Sequence, residues 1–294
     1  MSPTPTARLA RFFAPLRTRQ AILARRLLGV EDPADLALAG LLARELTVEL
    51  RGDGSLRGAA LPTIWRAHEL MDLGLGSDAP GVGAALGWVL RQQDAPGAYS
   101  EGCDKVRHAH QTCQHRIGGF FSPAPASVRV APVTLPNGKA FRAEPAARFV
   151  ISCLALRAVL RAGWVERPGV RRHLDSLALL TAGWTDWAGL FAPDVMVAGL
   201  HALAQAGPAY RAAVERAVGL IVAQQQADGT WPNSDLFQLL DTLVATGLPE
   251  ARLAVRRAAP AVEQRQRPDG SFGATAQQER ALIGLRALRW AGEG

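Results

Sequence analysis

The stretch GCDKVRHAHQTCQH, residues 102–115, concentrates the groups that bind metal ions. Cys103, His108, His110, Cys113 and His115 fall within 13 residues, while the rest of the chain holds only Cys153, His68, His173 and His201. Thiolates and imidazoles are the ligands zinc takes, four at a time in a tetrahedron. Cys103, Cys113 and two of the three histidines would complete a closed structural site. Three ligands would leave one position open for water or substrate. The spacing is not that of a standard zinc finger, and the plainer reading is a polar loop with a cysteine at a helix start. Zinc is the expected cofactor, with a structural role ahead of a catalytic one, because such a site would staple an irregular stretch.

Other residues able to do chemistry are scattered. Arg148, Asp194, His201, Asp235 and Asp241 sit in helical segments and are candidates for an interior cavity. Asp235 follows Asn233 and Ser234 at a helix start, where capping is its default task. GGFFSP (residues 118–123) brings two phenylalanines next to the Cys/His run, where they either line a cavity mouth or tuck beneath it.

What must position these groups is a repeat. Residues 221–247 read as a helix end, a Gln-Asp-Gly-Trp turn, and a second helix closed by Gly247. A near copy follows with QRQRPDGSFG. The turn residues are Gln226, Asp228, Gly229 and Trp231 in the first copy, and Gln266, Asp269, Gly270 and Phe272 in the second. A glutamine amide can donate to the last carbonyls of a helix, which lack intrahelical partners. The aspartate can accept from backbone N–H groups of the turn, and glycine supplies a positive φ. The aromatic residue is expected to wedge between neighbouring helix pairs. RGDGSL (51–56), RQQDAPGAY (91–99) and GWTDW (183–187) are weaker versions. Gly54 to Gly97 spans 43 residues, Gly229 to Gly270 spans 41, and Trp187 to Trp231 spans 44. A fixed period of this length marks a repeat architecture in which neighbours must stack to bury a common core.

The pattern divides the chain into a basic helical segment at 1–30, then helix pairs over 31–294, interrupted at 100–143. Within the interruption, alternating valines around Asn137-Gly138 predict a small β-hairpin. Segment 1–30 carries Arg8, Arg11, Arg17, Arg19, Arg25 and Arg26 without an acid, with Leu9, Phe12, Phe13 and Leu16 at helical spacing. It can rest on an anionic membrane surface or pack on the helical body with its arginines in water. Hydrophobic residues form 48% of the 294, which supports a large core, and all but two of the 33 basic residues are arginine. Three cysteines argue against a disulfide scaffold. No apolar run is long enough to span a membrane, and a cytoplasmic protein is the default expectation. The arginines are dispersed rather than interleaved with aromatics, so nucleic acid is not an expected partner.

The Q-x-x-D-G-[ST]-[WF] turn followed by a helix resembles that of the terpene cyclase and protein prenyltransferase superfamily, over roughly residues 41–292. That resemblance implies an all-α fold, an α/α toroid of helix-pair repeats with a small β-hairpin-containing insertion. It also implies an isoprenoid or other apolar ligand in the central cavity, or a prenyltransferase- or cyclase-like reaction. The family's specific chemistry is matched only in part. The Asp-x-Asp-Asp acid of class II triterpene cyclases is absent. Glu101 and Cys103 resemble the zinc-binding Asp and Cys of prenyltransferases in position, but no clear partner for the distant histidine follows. The alternative is a non-catalytic interaction scaffold with a structural zinc site. A carbohydrate-active enzyme on the same toroid would need paired carboxylates across the cavity.

Overall fold

The computed structural model describes residues 3–30, 32–93, 123–124, 127–187 and 192–292. The described residues form twelve α-helices and one two-stranded hairpin. The helices are α1 (Pro5–Phe13), α2 (Arg19–Leu28), α3 (Ala34–Val48), α4 (Ala60–Asp72), α5 (Pro80–Arg91), α6 (Glu144–Arg161), α7 (Pro168–Ala182), α8 (Pro193–Ala204), α9 (Arg211–Ala223), α10 (Leu236–Thr246), α11 (Pro249–Arg265) and α12 (Gln277–Gly292). The even-numbered helices form an inner ring: α2 packs on α4, α4 on α6, α6 on α8, α8 on α10, α10 on α12, and α12 back on α2. The odd-numbered helices lie outside them. The fold is an all-α toroid, as the resemblance implied.

Local sequence explains where the helices begin. Proline opens α1, α5, α7, α8 and α11, where its missing N–H costs nothing and its fixed φ suits the first turn. Side-chain caps come from Thr4, Thr18 and Asp235; Asp235 accepts from the Gln238 N–H, its expected task. The inner helix α6 is buried along most of its length, from Phe149 to Leu160, because outer helices cover one side of it and the ring interior lies on the other.

Each well-formed turn docks on the next outer helix. In the α9–α10 turn, Gly229 has φ +81°, and a Cβ there would collide with the Arg257 carbonyl of α11. Gln225 Nε2 donates to the Gly229 carbonyl at 3.0 Å and to the Ala254 carbonyl of α11 at 2.8 Å. The α11–α12 turn repeats this against α1. Gln266 Nε2 donates to the Gly270 and Pro5 carbonyls, and a Cβ on Gly270 would strike the Arg8 carbonyl. The α3–α4 turn does the same on α5, where Gly54 lies against the Ala84 carbonyl. Asp53, Asp228 and Asp269 each accept the backbone N–H two residues on. The glutamine that matches Gln266 is therefore Gln225; Gln226 instead accepts from the Thr230 hydroxyl. Trp231 is buried and its indole donates to the Ile221 carbonyl at 2.8 Å. Phe272 is buried against Gly284 and the Phe237 ring.

Residues 1–30 supply α1 and α2, which close the ring. Leu9, Phe13 and Ile22 are fully buried in the common core, so the apolar stripe of this segment faces inward. Arg25 makes a buried pair with Asp35, and Arg8 bonds Gln266.

The hairpin pairs β1 (Val133–Thr134) with β2 (Ala140–Phe141), in register Val133 to Phe141, around the Asn137-Gly138 turn. It lies across the N-terminal ends of inner helices. Glu144 of α6 accepts the Val130 and Ala131 N–H groups, Lys139 pairs with Asp194 in the first turn of α8, and Arg280 of α12 donates to the Asn137 carbonyl at 2.7 Å.

Candidate functional site: the central cavity

The inner ring encloses a cavity of about 780 Å³, lined by all six inner helices and by Leu135, Pro136 and Asn137 of the hairpin. That volume falls within the range of about 300–1,000 Å³ usual for small-molecule sites. Its apolar lining includes Leu23, Trp65, Leu135, Val150, Leu154 and Ile283. Its polar lining is dense in charge.

Two ionic clusters stand out. In the first, Asp72 of α4 pairs with Arg19 of α2 and, at 2.6 Å, with Arg161 of α6; Arg19 also reaches Glu279 of α12 at 3.2 Å. Burial raises the Asp72 carboxyl, but Arg161 and Arg19 outweigh it and hold the group below its ordinary value. In the second cluster, Asp241 of α10 faces three partners at longer range: Arg286 of α12 at 3.6 Å, Arg157 of α6 at 3.8 Å and His201 Nδ1 of α8 at 3.6 Å. Burial again raises the carboxyl, and His201, Arg157 and Arg286 together hold it below its ordinary value. Thr242 Oγ1 lies 3.2 Å from His201 Nδ1.

The two cavity histidines are neutral at physiological pH. Burial, aided by Arg157 and Arg161, pushes His68 down to about 3; burial, aided by Arg157, does the same to His201. The His68 Nε2–H donates to the Leu154 carbonyl. Arg157 itself is lowered by burial, against the pull of Asp241. Its Nε is buried with no hydrogen-bond partner among the described residues, and the same holds for Gln238 Oε1. Burial pushes the Cys153 thiol up, which makes it an inert part of the wall.

Of the helical residues singled out by sequence, His201 and Asp241 reach the cavity. Asp194 does not: its carboxylate pairs with Lys139 and accepts from Ser234 and the Asp235 N–H. Asp235 caps α10 and Arg148 pairs with Glu144 at 2.9 Å. The five candidate metal ligands, Cys103, His108, His110, Cys113 and His115, and both phenylalanines of GGFFSP lie outside the described residues. Among the described residues no group of three or more His, Cys, Asp or Glu side chains converges as a metal site. Nor is any described helix long and apolar enough to cross a membrane. Sequence reading missed Arg19, His68, Asp72, Arg157, Arg161, Glu279 and Arg286. One signal was available for Arg157: a lone charge inside the apolar run of α6.

No family model matches the chain, and no curated protein matches it. Solved structures do. A variant of the type II terpene cyclase MstE from Scytonema, in complex with the substrate geranylgeranyl dihydroxybenzoate, is similar at 17% identity and a TM-score of 0.53, over 98% of this chain and 86% of that one. Another MstE variant, in complex with the product merosterolic acid A, is similar at 16% identity and a TM-score of 0.52, with the same coverage. A protein from Actinoplanes is similar at 17% identity and a TM-score of 0.54, over 97% of this chain and 88% of that one. The chain thus has a terpene cyclase-like fold.

Proposed function

We propose that the protein binds, or acts on, an isoprenoid or other apolar ligand held inside the ring. The observation that carries this reading is the central cavity of about 780 Å³ with apolar wall residues from several inner helices, in a fold similar to that of a terpene cyclase in complex with geranylgeranyl dihydroxybenzoate. Solvent extraction of the purified protein, followed by mass spectrometry, tests it: a stoichiometric apolar molecule is the expected result. Failure to recover one, together with failure to bind geranylgeraniol added at micromolar concentration, would overturn the proposal.

Two of the cavity carboxylates, Asp72 and Asp241, are unsuited to one route. A protonation-initiated cyclase needs a carboxylic acid that keeps its proton, and a glycosidase needs one raised carboxyl of its pair. Asp72 and Asp241 are instead held ionised by arginines. Neither of these two residues is the protonated acid of such a route; Glu69 and Glu279 also line the cavity.

Zinc at Cys103, His108, His110, Cys113 and His115 is a second proposal, supported by the density of soft ligands in that run. Elemental analysis of untagged protein tests it. About one equivalent of zinc, lost in Cys113→Ser, is expected; less than about 0.2 equivalents, unchanged in Cys113→Ser, would reject it.

A further inference from the structure

The two ends of the ring are closed in different ways. At the N-terminal ends of the inner helices the hairpin lies across the mouth, and its Leu135, Pro136 and Asn137 line the cavity. Lys139 pairs there with the Asp194 carboxylate, which is 4% exposed, and Arg280 holds the Asn137 carbonyl at 2.7 Å. Lifting the hairpin would strand a buried carboxylate, which is costly. At the other end α4 and α6 stop in the same manner. The Leu75 N–H donates to the Leu70 carbonyl and the Trp164 N–H to the Val159 carbonyl, while Gly74 and Gly163 take the positive φ that such stops require, +100° and +77°. Small residues follow. Gly76, Ser77, Ala162 and Gly163, with Met71 and Leu75, surround a second hollow of about 320 Å³. Gly76 and Gly163 are exposed, so among the described residues this hollow faces solvent. Arg161 lines both the hollow and the central cavity. Its side chain is 37% exposed and pairs with Asp72 at 2.6 Å, whereas Asp72 is 12% exposed and is also bound by Arg19. When Arg161 swings outward, its guanidinium enters water and Asp72 keeps Arg19. A partly exposed pair is weak, so this end opens at a smaller cost than the hairpin end.

From these contacts we infer that the hollow between the C-terminal ends of α4 and α6 is the vestibule of the central cavity, and that Arg161 is its gate: closed on Asp72, open when the guanidinium turns to solvent. The inference concerns the route by which a molecule enters, and it goes beyond the ligand reading above. Arg19 stays on Asp72 in both states, so the gate moves without leaving a buried charge alone.

Alkylation of Cys153 by N-ethylmaleimide tests the gate independently of any ligand. Cys153 is 1% exposed and lines the central cavity, so the reagent must enter to reach it. The modified Cys153 peptide is quantified by mass spectrometry over a time course, in the full chain with its other cysteines in place. Burial and Arg157 set the ionisation of this thiol, and the substitutions leave Arg157 untouched. Arg161→Ala should speed the reaction, and Ser77→Trp, which fills the vestibule with an indole, should slow it, each by at least about threefold, the weight of one partly exposed ion pair. Loosening of the whole fold can only speed the reaction, so slowing in Ser77→Trp separates passage through the vestibule from unfolding. Both effects are required. An unchanged rate in Arg161→Ala, or a rate that Ser77→Trp does not lower, would overturn the gate. Either result leaves the apolar-ligand reading intact, because extraction and geranylgeraniol binding test that reading separately.

Discussion

The rim turns bond their polar groups to backbone, whereas the ring interior pairs charged side chains with one another. At residues 225–231 and 266–272 most turn polar groups bond within the turn or to the next outer helix, although the Gln225 Oε1 is buried with no donor among the described residues. The glutamine amide bridges two carbonyls, the aspartate caps its own turn, and glycine lets one backbone lie against the next. These turns set the spacing of the helix pairs. In the interior, two arginines share one distant carboxylate, and an arginine N–H and a glutamine oxygen have no described partner. The turns build the architecture, and the proposed ligand would sit in the interior.

Breaking the rim should cost stability and leave ligand binding alone. Trp231→Ala removes a buried indole and its hydrogen bond, and should lower unfolding free energy by about 3–5 kcal/mol, read by chemical denaturation. Gly229→Ala forces a Cβ into the Arg257 carbonyl at a positive φ, and should cost about 3 kcal/mol or more. Gly247→Ala makes the comparison sharp: its φ is +65° and ψ +10°, but nothing lies within 4 Å of the added Cβ. It should cost only about 1–2 kcal/mol, the left-handed strain alone. Equal effects at the two glycines would show that close docking of turn on helix is not what spaces the repeats.

Breaking the interior pairs should cost less than removing Trp231. Asp241→Asn leaves Arg157 and Arg286 without their carboxylate. It should destabilise the free protein by about 1–3 kcal/mol, less than a fully buried pair would, because the carboxylate is 24% exposed. Chemical denaturation checks this value.

A further effect comes from pH. His68 and His201 are depressed to about 3 in the folded protein, while in the unfolded chain they titrate near 6.5. The unfolded state therefore binds more protons between these values, and stability should fall as pH drops from about 6.5 toward 3, by about 1.4 kcal/mol per pH unit for each histidine. His173 is depressed by burial as well and acts in the same direction. Asp72 and Asp241 are lowered from 3.8, so their contribution is lost only below that value. Urea titrations at pH 7, 6 and 5 check the slope, and His201→Asn should make it shallower by one histidine's share.

The rim was legible in the sequence because its residues recur: the same Asp-Gly pair at a 41-residue spacing has one structural explanation. Even there a run of three glutamines concealed the register, and the bridging amide belongs to Gln225 rather than Gln226. The hairpin was legible from Asn137-Gly138. The interior was not. Arg157 lies in a chain with dozens of arginines, and α6 is apolar on nearly every side, so no hydrophobic stripe shows which face looks into the ring. Arg19, Arg161 and Arg286 each read as solvated positions until six helices are placed around one axis. His201 and Asp241 were nameable because a polar residue inside an apolar inner helix is conspicuous. The Cys/His run at 103–115 was the most conspicuous of all, and its chemistry rests on composition alone.

The division between rim and interior is tested most directly by hydrogen exchange with and without saturating geranylgeraniol. Slowed exchange at 153–161, 238–245 and 283–286, with 225–231 and 266–272 unchanged, is the predicted result. Protection confined to the outer helices and the rim turns would place recognition on the surface and contradict the account.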